Sequence, residues 1–262
     1  IEANKLPLPL FIRGDDVEYS LRNDAKFITL NGICIWHMGF VTKYNAAMEL
    51  YQVHRNSLIF QAFSVVCQDI DFVKRITDFY KVEIRRFNYN SCELLLESID
   101  DFMKGPDFLF KPEGERIMKE HGAMNEKLVP IEENYPDIEV NLDDLYKFEE
   151  LGFWQKVFYK ITVNGHLYPK FMLTDDVGVI AYDWFNCPKK QYKRKVLLAV
   201  NPYENTGAMR VLSRKKYLEL HKHYKKTIRN YKRNHKKVEE EFRKKKDEYT
   251  SYEFWLNYLG IK

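Results

Sequence analysis

Three acids, Asp15, Asp16 and Glu18, stand together near the start of the chain behind an apolar run at 6–12, and His37 closes a second apolar run at 33–36. A carboxylate at a loop-to-helix junction can be held within hydrogen-bond reach of a sugar hydroxyl and take its proton as a general base. A neutral imidazole at a strand end can ligate a divalent cation whose other ligands are carboxylates from elsewhere. Both groups also have a plainer reading. The acid pair can cap a helix and charge a surface, and the histidine can be satisfied by backbone. The residue types alone leave both open.

The elements that would carry these residues follow from periodicity and turn chemistry. Asp15 or Asp16 is placed to cap a short helix in which Glu18 and Arg22 are i,i+4 partners. The runs 27–30 and 33–36 flank Asn31-Gly32, a hairpin signal that a simple bend would also satisfy. Helical spacing is predicted over 45–66, 70–89 and 92–103, and another helix is predicted from Pro112 to His121, ended by Gly122. Residues 123–150 read as an acidic connector. The stretches 154–163, 167–173, 177–182 and 196–200 read as strands, with Asn164-Gly165 joining the first two. From Ser213 to about Leu259 the chain reads as one long polar helix carrying a stripe of Tyr217, His221, Tyr224, Ile228, Tyr231, His235, Val238 and Phe242 at heptad spacing.

Composition narrows the class. With 262 residues, 31 % of them charged, and eighteen Tyr, eighteen Phe and four Trp, the chain can bury a core and is not of disordered type. Cys34, Cys67, Cys92 and Cys187 are scattered, which predicts reduced thiols in a cytoplasmic protein and neither a zinc signature nor a disulfide framework. No apolar run reaches the length of a membrane span. The net charge of +4 hides an asymmetry, because residues 189–247 hold 21 Lys or Arg against 6 Asp or Glu. Such a segment fits an anionic partner.

Residues 6–61 resemble the second half of the catalytic domain in family 2 glycosyltransferases of the galactofuranosyltransferase type. The resemblance is carried by Leu6-Pro7-Leu8-Pro9-Leu10-Phe11-Ile12, by Asp15-Asp16-x-Glu18-Tyr19-x-Leu21-Arg22, by Gly32-x-x-Ile35-Trp36-His37-Met38, and by Tyr51 with Arg55-Asn56-x-Leu58. It implies that Asp16 is the catalytic base and His37 a metal ligand. It further implies that Asp15, Glu18, Trp36 and Arg55 serve the acceptor side. The cofactors implied are manganese or magnesium and a UDP-sugar donor, most simply UDP-galactofuranose. The reaction would be inverting transfer to a hydroxyl of a growing or lipid-linked surface glycan.

Two departures qualify the resemblance. Gly14 stands where the family has a tryptophan as acceptor platform. The donor-binding half with its Asp-x-Asp motif is expected N-terminal to Ile1, so neither bound cofactor nor transfer is expected of these 262 residues alone. Asp69-Ile70-Asp71 has the letters of that motif but sits at the start of a predicted helix, as a cap would.

The expected fold is α+β: a partial GT-A acceptor subdomain (1–66), a helical block (67–150), a small antiparallel sheet (151–212) and a basic amphipathic helix (213–262). That last helix has three readings: a stripe packed on the protein, a contact with the anionic inner face of the cell membrane, or a nucleic-acid surface. The last ranks lowest, since no recognised module accompanies it, and no nucleic-acid partner is expected. Self-association into a homo-oligomer stays open, and so does a non-catalytic docking or assembly module that has inherited the motif.

Overall fold

A computed structural model describes residues 6–23, 26, 28–32, 34, 44–63, 70–111 and 113–261. The first helix, α1 (Asp15–Arg22), is entered through Gly14, which takes the N-cap position in place of either acid at φ 82°. The turn at Asn31-Gly32 forms, with Gly32 at φ 82°. Residues 28–30 beside it are exposed and not strand, while Ile33 and Ile35 to His37 lie outside the described residues.

A π-helical turn (Ala47–Gln52) runs into α2 (Val53–Phe63), followed by α3 (Phe72–Arg85) and α4 (Tyr89–Phe102). Asp71 caps α3 by accepting from the Lys74 N–H at 2.9 Å, so it works as a helix cap, as its position in sequence implies. In α3, Phe72, Ile76, Tyr80 and Ile84 fall on one buried face at three-four spacing. Leu94, Leu95, Leu96 and Ile99 bury α4 on nearly every side, which makes it the axis of the helical block. The chain continues through α5 (Pro106–Leu109) and α6 (Gly114–Gly122) into a two-residue strand, β1 (Val129–Pro130), then α7 (Ile131–Asn134) and α8 (Leu142–Leu145).

Residues 154–163, predicted as a strand, instead form a helix, α9 (Phe153–Ile161). The Gln155 side chain reaches back to accept from the Gly152 N–H at 3.0 Å, fixing the first turn. Asn164-Gly165 does make a turn, but Val163, Asn164 and Gly165 use their left-handed backbone to leave a helix and not to join two strands. The predicted strand at 167–173 is a single 3₁₀ turn (Lys170–Met172) entered through Pro169.

The sheet then follows: β2 (Gly178–Ala181), α10 (Pro188–Gln191), β3 (Val196–Asn201) and β4 (Thr206–Val211), in the order β1-β4-β3-β2. It is mixed where an antiparallel sheet was predicted. The hairpin β3–β4 pairs Val196 with Val211 and Asn201 with Thr206, but β2 runs parallel to β3, Gly178 facing Leu197. The reason is the connection through α10, long enough to carry the chain back to the starting end of the sheet. Alternation splits β3 between two cores. Leu197 and Ala199 join the helical block, while Leu198 and Val200 pack with Ile131, Leu145 and Ala181.

Ser213 caps α11 (Arg214–Lys244), about 46 Å long at 1.5 Å per residue. Tyr217, Leu220, Thr227, Ile228, Tyr231, Val238 and Phe242 are buried against the block, and the lysines point outward. The helix stops at Lys244, short of the predicted end, and two short helices follow, α12 (Lys246–Tyr249) and α13 (Tyr252–Tyr258). One hydrophobic core takes side chains from 1–66, 67–150, 151–212 and 213–262 alike, from Leu8 to Tyr249. No helix among the described residues is long and apolar enough to cross a membrane.

Candidate active-site turn

The segment before α1 is tied down at both ends. Leu6 N–H donates to the Thr250 carbonyl at 3.0 Å and Trp255 Nε1 donates to the Pro7 carbonyl at 2.9 Å, so the C-terminal elements hold the first residues in place. Leu8 and Leu10 are buried in the core. Beyond them the backbone takes three successive left-handed steps, at Ile12 (φ 48°), Arg13 (φ 86°) and Gly14 (φ 82°). A β-branched residue there is an outlier, and such strain persists only where the surroundings impose it.

Asn56, buried on α2, imposes it. Its Nδ2 donates to the carbonyl oxygens of Arg13 at 2.8 Å and Ile12 at 3.1 Å, with Phe11 O at 3.5 Å. Its Oδ1 accepts from Arg55 Nε at 3.1 Å and Nη2 at 3.0 Å, and that guanidinium lies over the Tyr51 ring. Tyr51 in turn donates to Asp101 Oδ2, and burial pushes its phenol upward. Arg13 pairs with Glu49 at 2.6 Å; burial raises the Glu49 carboxyl despite that arginine.

Asp15 and Asp16 emerge from this turn, exposed on the first turn of α1, where the helix dipole favours their charge. Asp16 Oδ1 accepts from the Val17 N–H at 2.9 Å, leaving Oδ2 toward solvent. Beside the turn lies an open cleft of about 250 Å³ lined by Arg13, Gly14, Val17, Val53, Asn56, Ser57 and Phe60.

No protein-family profile matches the chain. Among curated proteins it is 30 % identical over 128 residues to the galactofuranosyltransferase GlfT2 of Mycobacterium tuberculosis, covering 44 % of this chain and 20 % of that protein. Against GlfT2 of Mycolicibacterium smegmatis the identity is 33 % over 111 residues, covering 40 % of this chain and 17 % of the relative. The chain is similar to galactofuranosyltransferases. The matched stretch spans about a fifth of the relatives' length.

Seen against that similarity, the residues predicted for the site divide. Asp15 and Asp16 are brought together and left open to solvent. Glu18 is 1 % exposed and accepts from Arg22 Nε at 2.7 Å, while Arg22 also donates to the Leu6 carbonyl at 2.8 Å. Arg55 is likewise buried and aimed at Asn56. Trp36 and His37 lie outside the described residues. Among the described residues no three His, Cys, Asp or Glu side chains group to hold a metal, so these residues alone do not make a cation site.

At Gly14, where the resemblance leads to an aromatic platform, an added Cβ would meet nothing within 4 Å. The cleft is open there, and Phe60 is the aromatic ring in its wall. The strained turn and its clamp were not legible as a site. Asn56 enters the sequence reading only as a letter of the Arg55-Asn56-x-Leu58 motif, and its clamping role does not show there because its partners lie 43 to 45 positions away.

Proposed function

We propose that the protein carrying this chain is an inverting glycosyltransferase that moves galactofuranose from UDP-galactofuranose to a hydroxyl of a growing glycan, with Asp16 as general base. The observation that supports this reading is the contrast at the turn. Its backbone is strained and locked by buried groups, while the acid pair it presents is exposed. Similarity to the two galactofuranosyltransferases supplies the reaction class.

In this reading the acceptor hydroxyl approaches Asp16 Oδ2. The carboxylate takes the proton as the oxygen attacks the anomeric carbon, and the bond from that carbon to the nucleotide diphosphate breaks on the opposite face. Asp15 borders the acceptor. The same reading keeps His37 as a ligand for manganese or magnesium.

Asp16→Asn in the full-length protein is the test. An amide oxygen can still accept from the Val17 N–H, so the first turn survives while the base is lost. Transfer should fall by about 10²- to 10⁴-fold with an unchanged melting temperature. Activity within threefold of the parent would remove Asp16 from the mechanism. Asp15→Asn should act mainly on acceptor KM.

A further inference from the structure

The face of α3 turned away from the core carries more than solvated charge. Arg75, Asp78, Phe79, Val82 and Arg85 follow one another along it at three-four spacing, over about 15 Å of helix. Two clefts open on this face, of about 520 Å³ and 280 Å³, and Val82 and Asn186 line both, so the two join into one groove. Across from α3 stand Trp184, in the loop after β2, and Phe148, in the stretch before α9. Trp184 is held edge-on by the Tyr44 ring at 5.3 Å and is still 40 % exposed; Phe148 is 61 % exposed. The groove shares no lining residue with the cleft at the Asp16 turn.

Its polar groups are positioned but not satisfied within the protein. Asn186 Oδ1 accepts from Gln191 Nε2 at 2.6 Å, and Gln191 Oε1 accepts from the Tyr159 hydroxyl at 2.8 Å, which orients the amide and leaves its Nδ2 to donate. Arg85 lays its guanidinium over the Tyr159 ring at 5.2 Å, and its Nε is buried without a partner. Among the described residues neither Arg75 nor Arg85 pairs with a carboxylate, and Glu149, in the same cleft as Arg85, pairs with no base.

The mixture of signs selects the ligand. An anion would meet Asp78, Glu149 and Glu150, and a cation would meet Arg75, Arg85 and Lys160. A neutral chain of hydroxyls, each able to donate and to accept, suits both signs, and apolar C–H faces on the same chain suit rings set along a groove. A glycan has both properties. An extended peptide would seek a free strand edge to pair with, and no strand lines this groove among the described residues.

We propose that the groove along α3 is a second carbohydrate site, separate from the Asp16 turn, which holds several sugars of a neutral glycan against Trp184 and Phe148. The identity of the sugar rests on the proposed transfer: the ligand is a galactofuranose chain, bound by residues already joined to it.

The test is calorimetric binding of a galactofuranose disaccharide and a galactofuranose hexasaccharide to the full-length protein, with no nucleotide present. The hexasaccharide should bind at least tenfold tighter. Phe148→Ser and Trp184→Ala should each remove at least two thirds of that length preference and leave disaccharide binding as it is. Phe148→Ser should do so without moving the melting temperature, since its ring is exposed. No binding of the hexasaccharide, equal binding of the two lengths, or a preference unchanged in both variants would overturn the proposal. So would a peptide that co-purifies with the protein and is lost from Trp184→Ala, which would give the groove to a polypeptide. Asp16→Asn should keep the length preference. Transfer by a protein that shows no such preference would therefore sink the groove alone, and a preference without transfer would sink the catalytic reading alone.

Discussion

The side chain that most decides the shape of the candidate site is Asn56, which does no chemistry itself. Left-handed Ile12 and Arg13 each cost on the order of 1–3 kcal/mol, and the Asn56 amide offsets this by satisfying their carbonyls inside the protein. Asn56→Ala should therefore destabilise the fold by about 2 kcal/mol in urea denaturation. It should also speed amide exchange at 11–16 ahead of the rest of the chain. Uniform exchange would mean that the clamp holds the core and not the turn. Gly14→Ala probes the same turn differently. Nothing obstructs the new methyl, so its cost should be only the backbone strain of about 1 kcal/mol. The acid pair was legible in the sequence because a helix start advertises itself locally. The i,i+4 pair of Glu18 and Arg22 was legible too, but that Glu18 and Arg55 are buried was not, because spacing says which residues share a face but not which face turns inward.

Among the elements, the helices α3 and α4 and the strands β2 and β3 were readable, each from one periodicity repeated between clear stops. The helix α9 was not. Phe153, Trp154, Val157, Phe158 and Tyr159 are aromatic or β-branched, so their propensity points to a strand. The Gln155 cap and the packing of Tyr159 outweigh it. The hairpin partner β4 was missed because Thr206 to Arg210 is too mixed in character to stand out, and only pairing with β3 makes it a strand. Where α9 ends, the chain buries His166, whose Nε2 lies 2.9 Å from the Tyr89 hydroxyl and Nδ1 2.6 Å from the Val163 carbonyl. Burial lowers its pKa to about 4, and burial followed by the Arg75 charge does the same to His54 on α2. Both folded values lie below the unfolded one near 6.5, so the unfolded chain binds more protons between them. Stability is then fully present above pH 6.5 and is lost as pH falls toward 4, by on the order of 3 kcal/mol per histidine. Melting followed from pH 7.5 to 4.5 should show this slope, and His166→Gln should flatten it. A slope that is the same in the variant would assign the acid loss to other groups.

At the scale of the whole molecule, α11 is what makes the segments one body. Its Phe242 is fully buried, stacked 5.1 Å from Phe102 on α4 and edge-on to Phe63 on α2 and Phe110 after α5. One ring thus joins four parts of the chain, and Phe242→Ala should cost about 3–5 kcal/mol. How the loss is distributed tells more than its size. If the basic helix were an appended module, denaturation of the variant would show an early transition for the helix and a second at the parent's midpoint. A shared core requires a single transition, moved to lower urea with an unchanged slope when followed by far-ultraviolet and near-ultraviolet signals alike. The Leu6 and Pro7 backbones hang on Thr250 and Trp255, just beyond that helix, so the turn that presents Asp16 should loosen in the same event. Amide exchange at 11–16 in Phe242→Ala should accordingly rise together with exchange in α4, and exchange that rose in α11 alone would separate the basic helix from the site it is argued to hold.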